Sequence, residues 1–137
     1  MFHVLEHLDR PIEILKNIRK RMKENSTLIV EVPHANDALI KKYDCEKFKD
    51  FTFWSEHLIL YTRDTLKKVL ELSGFKNIEI FGEQRYNIFN HLHWLSKGEP
   101  GGSKKFGLSD TDLIQNYDNF LKDNGMTDTL IAKVKIN

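Results

Sequence analysis

The chain begins with residues 1–8, MFHVLEHL, and this stretch guides the interpretation of everything after it. Its first half is apolar enough for a buried strand, but the apolar run stops at Glu6 and His7, two ionisable residues. In open parallel sheets, ligands bind outside the carboxyl ends of the strands. The pattern therefore predicts a strand over about residues 2–5 that leads into a functional loop. The plainer alternative is that Glu6 and His7 only solvate a strand end.

A helix and a second strand follow this opening. The helix is predicted over residues 10–23, with Asp9 as its N-cap and Pro11 in the first turn, where a missing N–H costs nothing. Its apolar residues recur every three or four positions: Ile12, Leu15, Ile18 and Met22. Residues 27–32 (TLIVEV) form a nearly continuous apolar run of the kind that is buried in a parallel sheet. Strand, helix and strand together predict a right-handed βαβ unit.

The segment from 34 to 54 has a looser pattern and leaves two interpretations open. A short helix is expected near residues 38–43, followed by a group of aromatic residues among lysines and aspartates: Phe48, Phe51, Phe53 and Trp54. This segment either covers the sheet edge or forms a lid over a substrate pocket. The next residues, 55–61 (SEHLILY), contain the pair Glu56 and His57, which repeats the pair Glu6 and His7. The two pairs converge on one site, or they are unrelated surface residues.

The second half continues with clear helical and strand patterns. Thr62 is predicted to cap a second helix that ends at Gly74, in the position where a left-handed residue closes the last turn. Later elements are a strand over 77–82, a helix over 87–95, a third long helix capped by Ser109 or Asp110, and a final strand over 129–136.

Two patterns in this half contain residues that can bind ligands, but their spacing does not support a binding site. His91 and His93 are two residues apart, so on a helix they do not share a face, and no metal site is predicted from them. Residues 97–106 (KGEPGGSKKF) are rich in glycine, but no strand precedes them and no Gly-Lys-Ser/Thr sequence follows. This segment is predicted to be a surface loop.

Composition excludes several classes of partner. Twenty-one basic and twenty acidic residues leave a net charge of +1, which gives no general attraction to nucleic acid or to an anionic membrane. The basic run at 16–23 is explained by a solvated helix face. The single cysteine, Cys45, excludes an internal disulfide and fits a reducing compartment. No apolar run is long enough to span a bilayer, so a cytoplasmic protein is expected.

No glycine occurs before Gly74. The first half therefore lacks the glycine-rich turn that lets a backbone approach a nucleotide-like cofactor closely. If the protein uses such a cofactor, that turn is not supplied by these residues.

The order of these elements resembles the C-terminal half of Rossmann-like S-adenosylmethionine-dependent methyltransferases. The likeness rests on a strand with Val-Leu-Glu-His, a helix, a strand ending in Val-Pro, the Glu56-His57 pair, a helix ending in Gly74-Phe75, and two further strands. Residues 84–102 and 127–130 resemble a subgroup found among bacterial surface-polysaccharide biosynthesis proteins. The resemblance implies an α/β fold containing strands four to seven of the family, with the last strand antiparallel and inserted between its neighbours.

The resemblance also implies a cofactor and a set of site residues. S-adenosylmethionine would lie beside Phe2 and His3, and His7 or His57 would act as the catalytic base. The acceptor side would be lined by eight residues: Glu6, Glu56, Tyr61, Arg85, Tyr86, Asn90, His91 and Trp94. The acceptor would be a small molecule, with a sugar or polysaccharide precursor as the class that the subgroup suggests.

One departure from the family accompanies the likeness. The glycine-rich loop after the first strand and the acidic residue after the second have no counterpart in residues 1–137. We therefore expect these residues to be the acceptor-side portion of a methyltransferase domain, inactive alone and prone to self-association through the strand edge at 2–5. The rival interpretation is a non-catalytic α/β binding or assembly module, in which Glu6, His7 and His57 need not face one cleft.

Overall fold

The computed structural model describes residues 1–53, 56–102 and 111–136. The chain divides into two compact units. The first unit consists of Met1–His34, His57–Phe81 and Leu130–Asn137. The second consists of Ala35–Glu56 and Gly82–Thr129. Three predicted features lie outside the described residues: the roles of Trp54 and Ser55, the cap at Ser109 or Asp110, and the end of the glycine-rich loop at 103–106.

The described residues form six α-helices and three strands. The helices are α1 Pro11–Arg21, α2 Ala38–Lys41, α3 Glu46–Thr52, α4 Arg63–Leu72, α5 Ile88–Lys97 and α6 Thr111–Asp123. The strands are β1 Thr27–Pro33, β2 Asn77–Glu83 and β3 Thr129–Lys135, and a single 3₁₀ turn covers Leu5–His7. Apart from the strand predicted over residues 2–5, the predicted helices and strands are confirmed to within a few residues at most ends, and α3 is an additional helix. None of these described helices is both long and apolar enough to cross a membrane.

The three strands form one sheet in which β3 lies between β1 and β2. The N–H of Asn25 donates to the carbonyl of Ile136 at 3.0 Å, and the N–H of Ile136 donates to the carbonyl of Ser26 at 3.1 Å. These bonds join the beginning of β1 to the end of β3, so the two strands run antiparallel. The predicted insertion of the last strand, in the antiparallel direction, is confirmed.

The predicted strand over residues 2–5 is wrong. Only Phe2 pairs with the sheet, through a single parallel bridge to Glu31. His3 has a φ of 50°, which an extended strand does not allow, and the chain turns into the 3₁₀ turn two residues later. Because this bridge is parallel, residues 5–7 still lie toward the carboxyl end of β1. The predicted cap is also wrong, because the N-cap of α1 is Arg10, which makes no side-chain capping bond, and Pro11 is the first helical residue.

The apolar core of the first unit is made of buried residues from the 3₁₀ turn, α1, β1, α4, β3 and the loops on either side of α4. They are Leu5, Leu15, Val30, Val32, Tyr61, Leu66, Leu70, Phe75, Leu130, Ala132 and Val134. Helix α4 is fixed at both ends. Thr62 forms a capping box with Thr65, and the N–H groups of Gly74 and Phe75 bond the carbonyls of Glu71 and Leu70. Gly74 has a φ of 91°, so the predicted left-handed closure is confirmed.

The second unit has a smaller core made of Leu39, Cys45 and Trp94. The ring of Trp94 packs against Phe48 and Phe51, with centroid distances of 5.2 and 5.3 Å. Part of the aromatic group predicted as a cover or a lid therefore contributes to this core. Helix α5, which carries Trp94, begins at Ile88, and the side chain of its N-cap, Asn87, accepts a hydrogen bond from the N–H of Asn90.

Candidate active site

A backbone contact in the first unit joins the 3₁₀ turn that carries Glu6 and His7 to the residues that follow His57. The carbonyl of Glu6 accepts hydrogen bonds from the N–H groups of Leu58 and Ile59, at 2.9 and 3.1 Å. This contact fixes the segment that follows His57 against the 3₁₀ turn that carries Glu6 and His7. The structure thus brings Glu6, His7 and His57 to one place.

We call Glu6, His7 and His57 the Glu6 cluster. Ligand atoms from the three side chains all lie within 4.8 Å of one another. Oε1 of Glu6 lies 3.8 Å from Nε2 of His7, and the rings of His7 and His57 are 5.0 Å apart, centroid to centroid. The Glu6 side chain is fully buried, whereas the His7 side chain is 37% exposed. The cluster therefore has a buried anionic base and a solvent-facing imidazole edge.

Glu6 is unusual for a buried carboxylate. Among the described residues, neither of its side-chain oxygens has a hydrogen-bond partner. Buried charges are normally paired and hydrogen-bonded, because an unmet carboxylate loses its hydration without compensation. Among the described residues, two imidazole nitrogens lie near Oε1 of Glu6: Nδ1 of His3 at 3.4 Å and Nε2 of His7 at 3.8 Å. This unmet bonding capacity is a feature of functional sites more often than of structural ones.

His3 links the cluster to a second acidic residue. Its Nε2 lies 3.2 Å from Oε1 of Glu31, while its Nδ1 faces Glu6. Glu31 lies in β1 and is nearly buried. The left-handed backbone at His3 turns its ring between the two carboxylates. The result is a row in which carboxylates and imidazoles alternate, Glu31, His3, Glu6 and then His7.

Tyr61, predicted to line the acceptor side, is fully buried behind the cluster. Its hydroxyl donates to the carbonyl of Leu5 at 3.4 Å. Burial, together with the charge of Glu6, raises the pKa of Tyr61 to about 12. The phenol is therefore protonated at neutral pH and acts as a hydrogen-bond donor to the backbone of the 3₁₀ turn.

The remaining predicted residues of the first unit are placed as follows. Phe2 is 60% exposed and contributes the bridge to Glu31. Glu56, in the second unit, is exposed and is not one of the three residues of the Glu6 cluster. The second Glu-His pair thus contributes its histidine to the cluster.

Arg85 and Tyr86 lie in the second unit, on a turn organised by Asp128. The N–H of Arg85 donates to Oδ2 of Asp128 at 3.0 Å, and the N–H of Tyr86 donates to the same oxygen at 2.9 Å. Both side chains are exposed, Tyr86 to 59%. Burial raises the pKa of Asp128, while its bonds to Thr129 and to this turn oppose the shift.

His91 belongs to a buried hydrogen-bonded chain in the second unit. Nε2 of Gln84 donates to Nε2 of His91 at 3.3 Å, and Nδ1 of His91 donates to the hydroxyl of Tyr117 at 2.8 Å. That hydroxyl lies 2.9 Å from the hydroxyl of Tyr43. Burial lowers the pKa of His91 to about 4, so the ring is neutral at physiological pH. The environment of His91 suits hydrogen bonding within the unit.

Asn90 and Trp94, also predicted on the acceptor side, are buried. Oδ1 of Asn90 accepts from the N–H of Gly101 at 3.4 Å, and Trp94 fills the core described above. His93 pairs with Glu99 at 3.2 Å, so His91 and His93 have different partners.

Sequence reasoning missed Glu31 and the linking role of His3. A signal for Glu31 was present, because it is the one charged residue within the apolar run TLIVEV. A charge in a strand that is otherwise buried needs a partner. The resemblance drew attention to residues 127–130, but no local pattern indicates the role of Asp128, which binds a turn more than forty residues earlier in the chain.

Comparison with known proteins fits this arrangement. A SAM-dependent methyltransferase from Archaeoglobus fulgidus shares 22% identity, with a TM-score of 0.56 over 98% of this chain and 57% of that one. Another from Thermotoga maritima shares 16% identity, with a TM-score of 0.56 over 97% of this chain and 52% of that one. The chain thus spans about half the length of these structures, whose likeness confirms the α/β fold. The comparison with curated proteins gave no match.

A family model described as "Methyltransferase domain" matches residues 1–80. This match covers more than half of the chain and includes the 3₁₀ turn, β1 and α4, and therefore the whole Glu6 cluster. The chain belongs to the methyltransferase domain family.

Proposed function

We propose that the protein transfers a methyl group from S-adenosylmethionine to a small-molecule acceptor, and that these residues supply the acceptor side of the site. The observation that carries the proposal is the convergence of Glu6, His7 and His57, from two loops, within 4.8 Å. A non-catalytic module would have no use for a buried carboxylate without a hydrogen-bond partner among the described residues. Family membership supports the type of reaction.

The proposed chemistry is an in-line displacement. When bound, S-adenosylmethionine supplies an electrophilic methyl group, whose bond to sulfur breaks as the acceptor forms its own bond to that carbon. His7 or His57 accepts the proton that the acceptor loses, since imidazole has an unperturbed pKa near neutrality. A general base of this kind typically raises the reaction rate by about 10²- to 10⁴-fold. Positioning of the acceptor by the Glu6 cluster would raise the reaction rate further.

Phe2 and His3 are the residues that we propose to face the cofactor. The ring of Phe2 is 60% exposed beside the end of β1, which provides an apolar surface that fits an aromatic base. The His3 ring offers nitrogen groups next to it, held by Glu31 at 3.2 Å. These contacts suit one edge of a cofactor. No glycine-rich turn among residues 1–73 supplies the opposite edge.

For the acceptor, we propose a sugar-type molecule. Such a molecule has hydroxyl groups, and its activated form also has a phosphate. The support is the resemblance of residues 84–102 to a polysaccharide-associated subgroup. Exposed Tyr86 offers an aromatic face for a sugar ring, and exposed Arg85 offers a planar fork that matches phosphate.

The test uses the polypeptide encoded by the whole reading frame that contains these residues. Formation of S-adenosylhomocysteine is measured with a panel of monosaccharides and nucleotide sugars at saturating cofactor. We expect acceptor-dependent turnover that falls at least tenfold in His57→Ala or His7→Ala. His93→Ala, in the second unit, serves as the matched control and should retain activity. No turnover with any acceptor would refute the proposal. Unchanged rates in both cluster variants across about pH 6 to 9 would refute the role of a histidine base.

We also propose that the 137 residues alone bind the cofactor weakly and associate with one another. The absence of glycine before Gly74 supports weak binding, and exposed Phe2 and Val4 support association. Calorimetric titration and light scattering measure the two properties. Micromolar binding by a monodisperse monomer would contradict both.

A further inference from the structure

We propose that Glu6, His7 and His57 bind one divalent first-row transition-metal ion, with Zn²⁺ as the representative species. This assignment goes beyond the proposed function, because metal binding by the Glu6 cluster does not depend on methyl transfer. No other group of three histidine, cysteine or acidic side chains among the described residues has its ligand atoms so close together.

The first argument is the state of the Glu6 carboxylate. It is completely buried, it faces the two imidazoles, and neither oxygen has a hydrogen-bond partner in the described part of the chain. A metal ion would satisfy this carboxylate directly, since buried charges are retained where they are paired or coordinate metals. A purely structural glutamate at this position would be expected to bond backbone N–H groups instead.

The second argument is distance. Ligand atoms bound tetrahedrally to one ion at about 2.0–2.2 Å lie about 3.3–3.6 Å apart. The three candidate atoms already lie within 4.8 Å of one another. Inward movements of at most about 0.8 Å per atom, which χ rotations of the three side chains provide, would close the site. The backbone bonds from Leu58 and Ile59 to Glu6 keep the two contributing loops in register for this.

The third argument concerns the ligand set. Two imidazoles and one carboxylate favour Zn²⁺ and its neighbours, whereas Mg²⁺ and Ca²⁺ prefer oxygen ligands. The His7 side chain is 37% exposed, so the imidazole edge faces solvent and leaves positions open for water or an acceptor oxygen. Three protein ligands with an open position are typical of catalytic rather than structural zinc sites.

His3 and Glu31 are assigned as positioning residues. His3 is not one of the three ligands, but its Nδ1 lies 3.4 Å from Oε1 of Glu6 and its Nε2 lies 3.2 Å from Oε1 of Glu31. Groups that orient a ligand in this way commonly change metal affinity by about 10- to 100-fold. His3 therefore holds the Glu6 carboxylate toward the two histidines.

Metal binding would change how the proposed reaction uses the cluster. A bound ion would polarise an acceptor hydroxyl and lower its pKa, so that the hydroxyl would lose its proton to solvent water while His7 and His57 served as ligands. This consequence rests on the proposed function, but the binding step does not. Failure of methyl transfer would leave the metal proposal intact, and failure of metal binding would leave the histidine base.

The test measures binding and not activity. The 137-residue chain is treated with chelator, dialysed, and titrated at neutral pH with Zn²⁺ by calorimetry and with Co²⁺ by visible absorption. We expect one ion per chain, competition between the two metals, and Co²⁺ bands that indicate imidazole ligation. Zn²⁺ should also raise the thermal midpoint of the chain, because it binds the folded state.

Substitutions identify the ligands. Glu6→Gln, His7→Asn and His57→Asn should each weaken Zn²⁺ binding at least tenfold, and His3→Asn should weaken it less. His93→Asn, which removes an imidazole paired with Glu99 in the second unit, should have no effect. Circular dichroism of each variant confirms that it folds. The proposal is overturned if folded wild-type chain takes up no stoichiometric metal, or if affinity is equal in wild type and folded His57→Asn.

Discussion

The imidazole rings of His7 and His57 lie 5.0 Å apart and are tilted by 38°, although they belong to different loops. The backbone of Glu6 holds the two loops together, because its carbonyl accepts hydrogen bonds from the N–H groups of the two residues that follow His57. The same residue thus positions both loops through its main chain and supplies the buried charge through its side chain. Stability and function therefore make opposing demands on Glu6.

The first prediction concerns that opposition. In metal-free buffer, Glu6→Gln should raise the free energy of unfolding by about 1–2 kcal/mol, because it replaces a desolvated charge with a neutral group of the same shape. Urea denaturation of both proteins measures the difference. Glu56→Gln, at an exposed position, should change it little. A destabilised Glu6→Gln variant would mean that His3 and His7 compensate the carboxylate fully.

The second prediction concerns Gly82, near the end of β2. A methyl group at this position would overlap the Thr127 side chain, chiefly its hydroxyl. Thr127 has little freedom to retreat, since its hydroxyl donates to the carbonyl of Thr129 at 3.0 Å. Gly82→Ala should therefore cost about 1–3 kcal/mol.

A double-mutant cycle checks the cause of that loss. Gly82→Ala should cost less in a Thr127→Ala background, because the overlapping atoms are gone. Gly101→Ala is the matched control for a loss of glycine freedom, since nothing lies within 4 Å of a Cβ there and its φ is 101°. Equal costs of Gly82→Ala in both backgrounds would show that the overlap with Thr127 is not responsible.

The amino-acid sequence predicted those parts of the fold that depend on local chemistry. The period of α1, the cap at Thr62 and the left-handed Gly74 are readable because each reflects neighbouring residues only. The opening strand was wrong for a related reason. Apolar residues at 2–5 favour a strand, but His3 has a φ of 50° and its ring binds Glu31, which is far away in the chain, and no local pattern indicates either feature.

The candidate site shows the same division. The repeated Glu-His pairs drew attention to His7 and His57, but only tertiary structure could show that the loops meet. The assignment of Asn90, His91 and Trp94 to the acceptor side is implied by the family resemblance and not by a local pattern. Their burial in the second unit depends on Tyr117 and on α3, which no local pattern connects to α5. Their predicted role in acceptor binding stays a prediction.

The third prediction concerns Asp37, the N-cap of α2. Burial raises its pKa to about 7, the bond from the N–H of Leu39 opposes the shift, and Asp128 adds to it. The folded state therefore holds this proton more tightly than the unfolded state, whose carboxyl has a pKa of about 3.9. The contribution of Asp37 to the free energy of unfolding is therefore fully present below about pH 4 and is lost as the pH rises to about 7.

Asp37→Asn tests this dependence because the amide oxygen can still accept from Leu39. The variant should match wild type near pH 4 and exceed its stability by up to about 4 kcal/mol at pH 8. Urea denaturation across this range gives the difference, and Asp9→Asn, at a position 79% exposed, is the control. A constant difference between wild type and Asp37→Asn would show that Asp37 is ionised in the folded chain throughout.

The last prediction concerns His91, whose effect has the opposite sign. Burial lowers its pKa to about 4, whereas an unfolded histidine has a pKa of about 6.5. Between these values only the unfolded state binds the proton, so acidification from about pH 7 to 4 should remove up to about 3 kcal/mol of stability. His91→Asn removes the titrating group while its amide keeps a donor for Tyr117.

We therefore expect His91→Asn to be less stable than wild type at pH 8, by about 1–2 kcal/mol, since it leaves a small cavity and an altered bond to Gln84. That deficit should shrink as the pH falls, because only wild type carries the cost of burying a basic imidazole. Tyr43→Phe removes the end of the same hydrogen-bonded chain without removing the imidazole, so its deficit should be equal at every pH. If the His91→Asn deficit were also constant from about pH 8 to 4.5, the imidazole would have to take up a proton inside the fold as readily as in the unfolded chain. Nε2 could then not accept from Gln84, although Nδ1 would still donate to Tyr117.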